Sequence, residues 1–456
     1  MIRRTFSAFI IAFLLVGVPL FPAYAASSPT DHQPTTPIQH LVVLMQENHT
    51  FDNYFGTYPG ANGLNLDTKM PVDPNNPAAG YVTPWHIGNS TITDISHSAS
   101  TFKDQYDNGK MDGFVSALNA RNQDGKLAMG YYDGTDIPYY WNLADNYVLF
   151  DQFFSSAQDG SFANHMYWVT AVPPVAPKGV QLSDVLANTP TIFDELQAAG
   201  ISWKFYVQNY DPTITYRNIG DSGNRASQVI WVPLLNFDRF IDNPTLSSHI
   251  VDLSQYYIDL QNGNLPAVSY IVPSGASEHP PSSLMSGQRF VKSIIQELMR
   301  STAWDSSAFM LAYDDWGGWY DHVTPPQVDQ YGYGPRVPVL LVSPYAKSGY
   351  IDNSLLDFTS MLKFIEQNWN VSPLSQRDAN ANNFLSAFNF NQDPRLPIFL
   401  PLTRITPPPV KNDPSSLIYL GYGAALSLSF GTIGVAGYRS RKQKASKLTK
   451  KDEQND

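Results

Sequence analysis

Four short segments of this chain carry side chains that can bind a cation or attack an ester. They are Gln46-Glu47-Asn48-His49, Ser277-Glu278-His279-Pro280, Asp314-Asp315-Trp316-Gly317-Gly318-Trp319-Tyr320-Asp321-His322, and Asp159-Gly160-Ser161-Phe162-Ala163-Asn164-His165. The first three offer carboxylates, a carboxamide and imidazoles, the donor set of a hard or borderline divalent metal ion. In the fourth, Ser161 stands at the expected start of a helix, as an N-cap, where unpaired backbone N–H groups attract phosphate oxygens. A serine hydroxyl is a weak nucleophile at its own pKa and gains reactivity beside a metal. No G-x-S-x-G turn surrounds Ser161, which disfavours a lipase-like triad. Taken singly, each residue has an ordinary explanation: Asp314 and Asp315 as a strand end, Ser161 as a plain cap, Glu47 as a surface acid, His279 as a loop residue before two prolines, His97 and His322 as satisfied polar groups. Their convergence gives the set its meaning.

That convergence depends on the elements that carry them. Near-continuous apolar runs at 38–45, 201–207, 267–272, 308–313 and 337–342 read as buried parallel strands. Between them, residues 288–300 and 358–369 repeat apolar positions at helical spacing, and residues 192–196 do so before Gly200, a suitable helix stop. Alternation of this kind predicts an α/β layered sheet. In such sheets ligands sit beyond the carboxyl ends of the strands. The runs ending at 45, 272 and 313 lead directly into the first three segments, so one sheet edge is expected to gather them. Residues 57–150 lack a clear period and are rich in Asn, Asp, Gly and Tyr; they read as a long irregular insertion, a lid or cap.

The two ends set the expected compartment. Residues 1–25 combine Arg3 and Arg4, an apolar run and Ala23-Tyr24-Ala25, the pattern of a secretory signal peptide. Residues 417–438 hold no charged residue and are followed by Arg439, Arg441, Lys442 and Lys444, the pattern of a transmembrane helix with its basic flank inside. The expected order is a signal peptide at 1–25, a polar linker at 26–36, a catalytic domain at 37–401, a Pro-rich stalk at 402–416, the span at 417–438 and a cytoplasmic tail at 439–456. That places the domain outside the cell, anchored to the membrane by a single span. The net charge of −11 argues against nucleic acid as a partner. With no cysteine in the chain, an exported domain must be held by its core alone.

The run 38–56, Ile-Gln-His-Leu-Val-Val-Leu-Met-Gln-Glu-Asn-His-Thr-Phe-Asp-Asn-Tyr-Phe-Gly, resembles the opening motif of the bacterial phospholipase C and acid phosphatase family, within the alkaline-phosphatase-like superfamily. The likeness continues through residues 108–114, Glu278-His279-Pro280, residues 314–323, Pro335-Arg336-Val337-Pro338 and the helix after Asp357. It implies an alkaline-phosphatase-like layered sheet with helices on both faces. It implies a divalent metal ion held by Glu47, Asn48, Asp314 and Asp315, with Ser161 as both nucleophile and fifth ligand. It also implies His97 and His279 against the phosphate or leaving group, with His322 a weaker candidate. Phospholipase members usually carry Thr where Ser161 stands, and the phosphatase branch carries Ser. Where members often have Asp-His-Thr-Ser, this chain has Asp357-Phe358-Thr359-Ser360, so no role passes to Phe358.

The expected activity is hydrolysis of a phosphoester through a phosphoserine, with His279 or His97 protonating the leaving alcohol. The substrate is a small phosphoester or a phospholipid headgroup. Two alternatives compete: a sulfatase-like hydrolase of the same superfamily, which would need a Cys or Ser converted to an aldehyde in a distinctive motif and is disfavoured because Cys is absent, and a surface-anchored binding protein with no activity, disfavoured by the intact donor set.

Overall fold

The computed structural model describes residues 32–221 and 223–405. The expected signal peptide, most of the linker, most of the stalk, the span and the tail lie outside these residues. Among the described residues, no helix is long and apolar enough to cross a membrane.

The apolar runs fold as strands because both of their faces are covered. We number the strands of the main sheet β1 (His40–Gln46), β2 (Val148–Phe150), β3 (Trp203–Val207), β4 (Ile250–Asp252), β5 (Val268–Val272), β6 (Ser307–Tyr313), β7 (Val339–Val342) and β8 (Tyr350–Asp352). Their order across the sheet is β8-β2-β7-β6-β1-β5-β3-β4. Every residue of β5, β6 and β7 is buried, as is β1 after His40. Burying one such Val, Leu, Ile or Phe side chain contributes about 1.5–3 kcal/mol.

The helices used below are α1 (Phe51–Phe55), α2 (Ala99–Tyr106), α3 (Phe114–Asn119), α4 (Pro138–Asn146), α5 (Ser161–Thr170), α6 (Ile192–Ala198), α7 (Ser254–Gln261), α8 (Leu284–Arg300) and α9 (Phe358–Trp369). They cover both faces of the sheet, as neighbouring residues of β3 demonstrate. Phe205 meets Trp168 of α5, with ring centroids 5.8 Å apart, while Tyr206 meets Tyr256 of α7 at 5.5 Å. Successive strand residues point to opposite faces, so α5 and α7 lie on opposite sides. Trp168 also stacks on Tyr270 of β5 at 4.1 Å, and the Tyr256 hydroxyl reaches the Ile294 carbonyl of α8. Of these helices, α6 and α9 begin with capping boxes, Thr191 with Asp194 and Asp357 with Ser360. Each box satisfies N–H groups that the helix itself cannot. Gly200 follows α6 with φ of +68°, a conformation favourable to glycine.

The register fixes the site. In the parallel pair β1 and β6, His40 faces Ser307 and Gln46 faces Tyr313, so the strands end level. Glu47 and Asp314 therefore leave the sheet side by side. Strands β1, β3, β4, β5 and β6 are parallel to their neighbours in this group.

Two expectations are corrected. The run at 337–342 forms β7, which is antiparallel to both β6 and β2, so the sheet is mixed rather than all parallel. A strand buried on both faces shows the same apolar run in either direction. The segment 57–150 is not irregular throughout. It contains α2, α3 and α4 and ends in β2, inside the sheet, and its Phe102, Phe114 and Tyr132 are buried in the main core.

Candidate active site

The loop after β1 turns sharply at Asn48, whose φ is +66°. The loop after β6 turns beneath it at Gly317, with φ of +58°. A Cβ on Gly317 would lie 2.2 Å from the Asn48 carbonyl oxygen, so glycine is needed for the close approach. The Asn48 and Asp315 backbone N–H groups both donate to Asp314 Oδ1, at 2.9 and 2.8 Å, and Gly317 N–H donates to Asp315 Oδ1 at 2.7 Å. These bonds lock one oxygen of each aspartate and leave Asp314 Oδ2 and Asp315 Oδ2 to face inward.

Helix α5 brings the hydroxyl. Its N-cap is Gly160, so Ser161 is the first helical residue and not the cap expected from sequence. Freed from capping, Ser161 Oγ donates to Asp315 Oδ2 at 3.2 Å. Asn164 ties the preceding loop to the helix: its Oδ1 accepts from Ala157 N–H and its Nδ2 donates to the Asp159 carbonyl.

Glu47, Asn48, Asp314 and Asp315 are all buried. Three of their oxygens, Glu47 Oε2, Asn48 Oδ1 and Asp314 Oδ2, find no hydrogen-bond partner. Burial raises the Glu47 pKa above the usual carboxylate range, and the neighbouring Asp314 raises it further. Burial, then Asp314, pushes Asp315 well up in the same way. Unpartnered buried acceptors and crowded acids are costly as they stand. A divalent cation among them would supply both the missing partner and the missing charge, so the donor set fits the expected metal.

His97 supports the same orientation. Its Nδ1 lies 2.8 Å from the Ile95 carbonyl, an acceptor, so Nδ1 carries the proton of the neutral ring and Nε2 is left as an acceptor. The contact of 3.0 Å between His97 Nε2 and Asn48 Nδ2 is then donated by the amide. That turns Asn48 Oδ1 toward the carboxylates. His279 Nδ1 is committed to the Pro280 carbonyl at 2.7 Å, and the two imidazoles meet edge to face with centroids 5.5 Å apart. Ser161, His97 and His279 line a cleft of about 780 Å³. Phe162, Ala163, Pro173, Pro174, Val175 and Ile230 give that cleft an apolar wall.

The structure thus brings together Glu47, Asn48, His97, Ser161, His279, Asp314 and Asp315. His322 stands apart. Its Nδ1 pairs with Asp52 at 2.7 Å, and its Nε2 contacts Asn62 at 3.2 Å.

Three features went unread in the sequence. His165, one helical turn after Ser161, is fully buried with Nε2 at 3.3 Å from Glu47 Oε1 and 3.7 Å from Asp314 Oδ2; the i, i+4 spacing from Ser161 was the available signal. Glu278, beside His279, accepts hydrogen bonds from the Tyr54, Tyr140 and Tyr313 hydroxyls. Burial outweighs those three bonds and pushes its pKa up to about 7. Arg336 lies buried between Asp52 and Asp321, at 2.9 Å from each. The residues in these last two groups are far apart in sequence, and no local pattern joins them.

The chain matches the model of the Phosphoesterase family over residues 38–372. The non-hemolytic phospholipase C of Pseudomonas aeruginosa is 28% identical over 420 residues, covering 77% of this chain and 57% of that relative, so this chain matches little more than half of its length. Phospholipase C B of Mycobacterium tuberculosis is 28% identical over 447 residues, covering 84% of this chain and 83% of its own. Among solved structures, a protein in the alkaline phosphatase superfamily from Vibrio parahaemolyticus is 12% identical, with a TM-score of 0.36 over 76% of this chain and 70% of its own.

Proposed function

From the premise that this chain belongs to the Phosphoesterase family, we propose that it is a metal-dependent phosphodiesterase of the phospholipase C type, working through a phosphoserine on Ser161. The observation that carries this reading is a hydroxyl, Ser161 Oγ, held by Asp315 Oδ2 at the edge of the cleft beside three unpartnered buried oxygens. The apolar wall favours a diester with an apolar leaving group over a small polar monoester.

Glu47, Asn48, Asp314, Asp315 and Ser161 would hold the cation, which when bound supplies Lewis-acid charge toward the phosphoryl oxygens and lowers the pKa of the serine hydroxyl. Ser161 Oγ forms the new bond to phosphorus, in line with the leaving alcohol. Its proton is released to solvent in the open cleft as the hydroxyl ionises. The bond from phosphorus to the alcohol oxygen breaks, and His279 protonates that oxygen. With Nδ1 committed to Pro280, Nε2 is the nitrogen that can do so. Water then attacks the phosphoserine and gives a proton to His279, while Ser161 Oγ leaves as the ionised hydroxyl from which the cycle began. His97 is less suited to the acid role, because its Nε2 already accepts from Asn48.

The test is a substrate panel on the full-length protein: an aryl phosphate, a bis-aryl phosphate and phosphatidylcholine vesicles. Cleavage of the diesters is expected, with Ser161→Ala at least about 10³-fold slower in kcat while retaining most of its metal through the four remaining ligands. A folded Ser161→Ala protein with near-normal turnover refutes the nucleophile. Turnover of the monoester alone refutes the phospholipase C type. Export through residues 1–25 and anchoring through 417–438 belong to the same proposal, supported by sequence pattern.

A further inference from the structure

His165 is a buried imidazole to which the reaction above gives no role. Its hydrogen bonding is poor. Nδ1 is buried without a partner, and Nε2 has a single contact within hydrogen-bond range, 3.3 Å to Glu47 Oε1. A bond between a charged pair is usually shorter, about 2.7–2.9 Å. Asp314 Oδ2, itself unpartnered, is 3.7 Å from the same nitrogen. These spacings have another meaning. Two donors each about 2.0–2.1 Å from one ion, at angles from a right angle to about 120°, stand roughly 2.8–3.6 Å from each other. The measured separation to Glu47 Oε1, 3.3 Å, falls inside that range, and the separation to Asp314 Oδ2, 3.7 Å, lies just beyond its upper end. Glu47, His165 and Asp314 each offer a ligand atom within 4.8 Å of the others, and all three are buried.

We propose that His165 Nε2 is a direct ligand of the cation, which makes the centre a mixed nitrogen and oxygen site that selects a first-row transition dication such as Zn²⁺, Fe²⁺ or Co²⁺ over Ca²⁺ and Mg²⁺. The proposal rests on the reading of Glu47, Asn48 and Asp314 as cation ligands. Calcium and magnesium take oxygen donors, and an imidazole in the inner sphere disfavours them. The position on α5 also has a mechanical meaning. Ser161 and His165 lie one turn apart on one rigid helix, so the same element that presents the hydroxyl would grip the ion.

The experiment uses the full-length protein stripped of metal and loaded with Cu²⁺ as a paramagnetic probe, grown with either ¹⁴N- or ¹⁵N-histidine. Magnetic resonance then reads whether an imidazole nitrogen is bound to the ion, whatever the activity. The expected result is a histidine nitrogen coupling that changes with the isotope, survives His97→Gln and His279→Gln, and disappears in His165→Gln. In parallel, equilibrium dialysis should show Zn²⁺ affinity falling about 10–100-fold in His165→Gln, with Ca²⁺ affinity changed less than about threefold. If Cu²⁺ binds the wild-type protein without histidine coupling, His165 is a hydrogen-bond donor to Glu47 and the proposal is overturned, while the oxygen site stands. If no cation binds the wild-type protein at all, both the proposal and the metal reading fall. Should His165→Gln fail to fold, the isotope comparison on the wild-type protein and the two other variants still decides.

Discussion

Gly317 shows how tightly single residues constrain the centre. Its positive φ and the 2.2 Å approach of a Cβ to the Asn48 carbonyl leave no room for a side chain. Gly317→Ala should push the loop after β6 away from the loop after β1, parting Asn48 from Asp314. The expected outcome is a loss of about 1–3 kcal/mol in stability and at least a tenfold weaker hold on metal, read by thermal melting and by elemental analysis after dialysis. Arg336 is the counterpart away from the chemistry. Besides Asp52 and Asp321, it donates to the Asn62 and Asp151 carbonyls, joining four segments. Arg336→Met strands two buried acids and should cost about 3–5 kcal/mol in a urea titration. Adding Asp52→Asn and Asp321→Asn should recover a large part of it. At this scale the sequence was legible where residues cluster in short motifs, as with Glu47–Asn48 and Asp314–Asp315. His165 is followed by Met166, Tyr167 and Trp168 and Arg336 sits in a Pro-rich run, so neither announces its partners.

At the scale of elements, α9 carries a buried acid of its own. Neither oxygen of Glu366 finds a hydrogen-bond donor. Burial first, and the nearby Asp378 second, raise its pKa to about 9. Below pH ~4.5 the folded and unfolded chains are both protonated here. Between ~4.5 and ~9 the unfolded chain releases a proton that the folded one keeps, so stability falls as pH rises. Glu366→Gln removes that slope. With metal saturating, to hold the site carboxylates constant, the variant should gain about 1–3 kcal/mol on wild type between pH 5 and pH 8.5, read from melting curves. Equal slopes for the two proteins would show that Glu366 is ionised in the fold. Sequence patterning found β1, β3, β5, β6, β7 and the long helices, because each is a sustained apolar run or stripe. It missed β2, β4 and β8, which are three residues each, too short to display a period. The direction of β7 is set by the loop that precedes it and not by its own residues. The Ser161 cap was misplaced by one position because glycine and serine are both good N-caps.

For the whole molecule, the proposed topology can be tested without any structure of the ends. Residues 417–438 are uncharged, and seven Lys and Arg follow before residue 452, a flank that resists crossing. Protease added to intact cells should degrade the catalytic domain and spare a small membrane-bound fragment containing residues 417–456. Truncation after Pro414 should release active enzyme into the medium. Recovery of the full-length protein free in the medium would remove the anchor and leave the catalytic reading untouched.

The level ends of β1 and β6 have a consequence in time. Residue 40 pairs with residue 307 and residue 46 with residue 313, so the cluster draws on both ends of a long stretch of chain. Contacts this distant in sequence form late and slowly, because loop closure must come before any reward from pairing. Under the proposed export through residues 1–25, a chain with residue 314 not yet delivered would own Glu47, Asn48 and Ser161 but no completed centre. Under the proposed function, its chemistry would begin only where its folding ends.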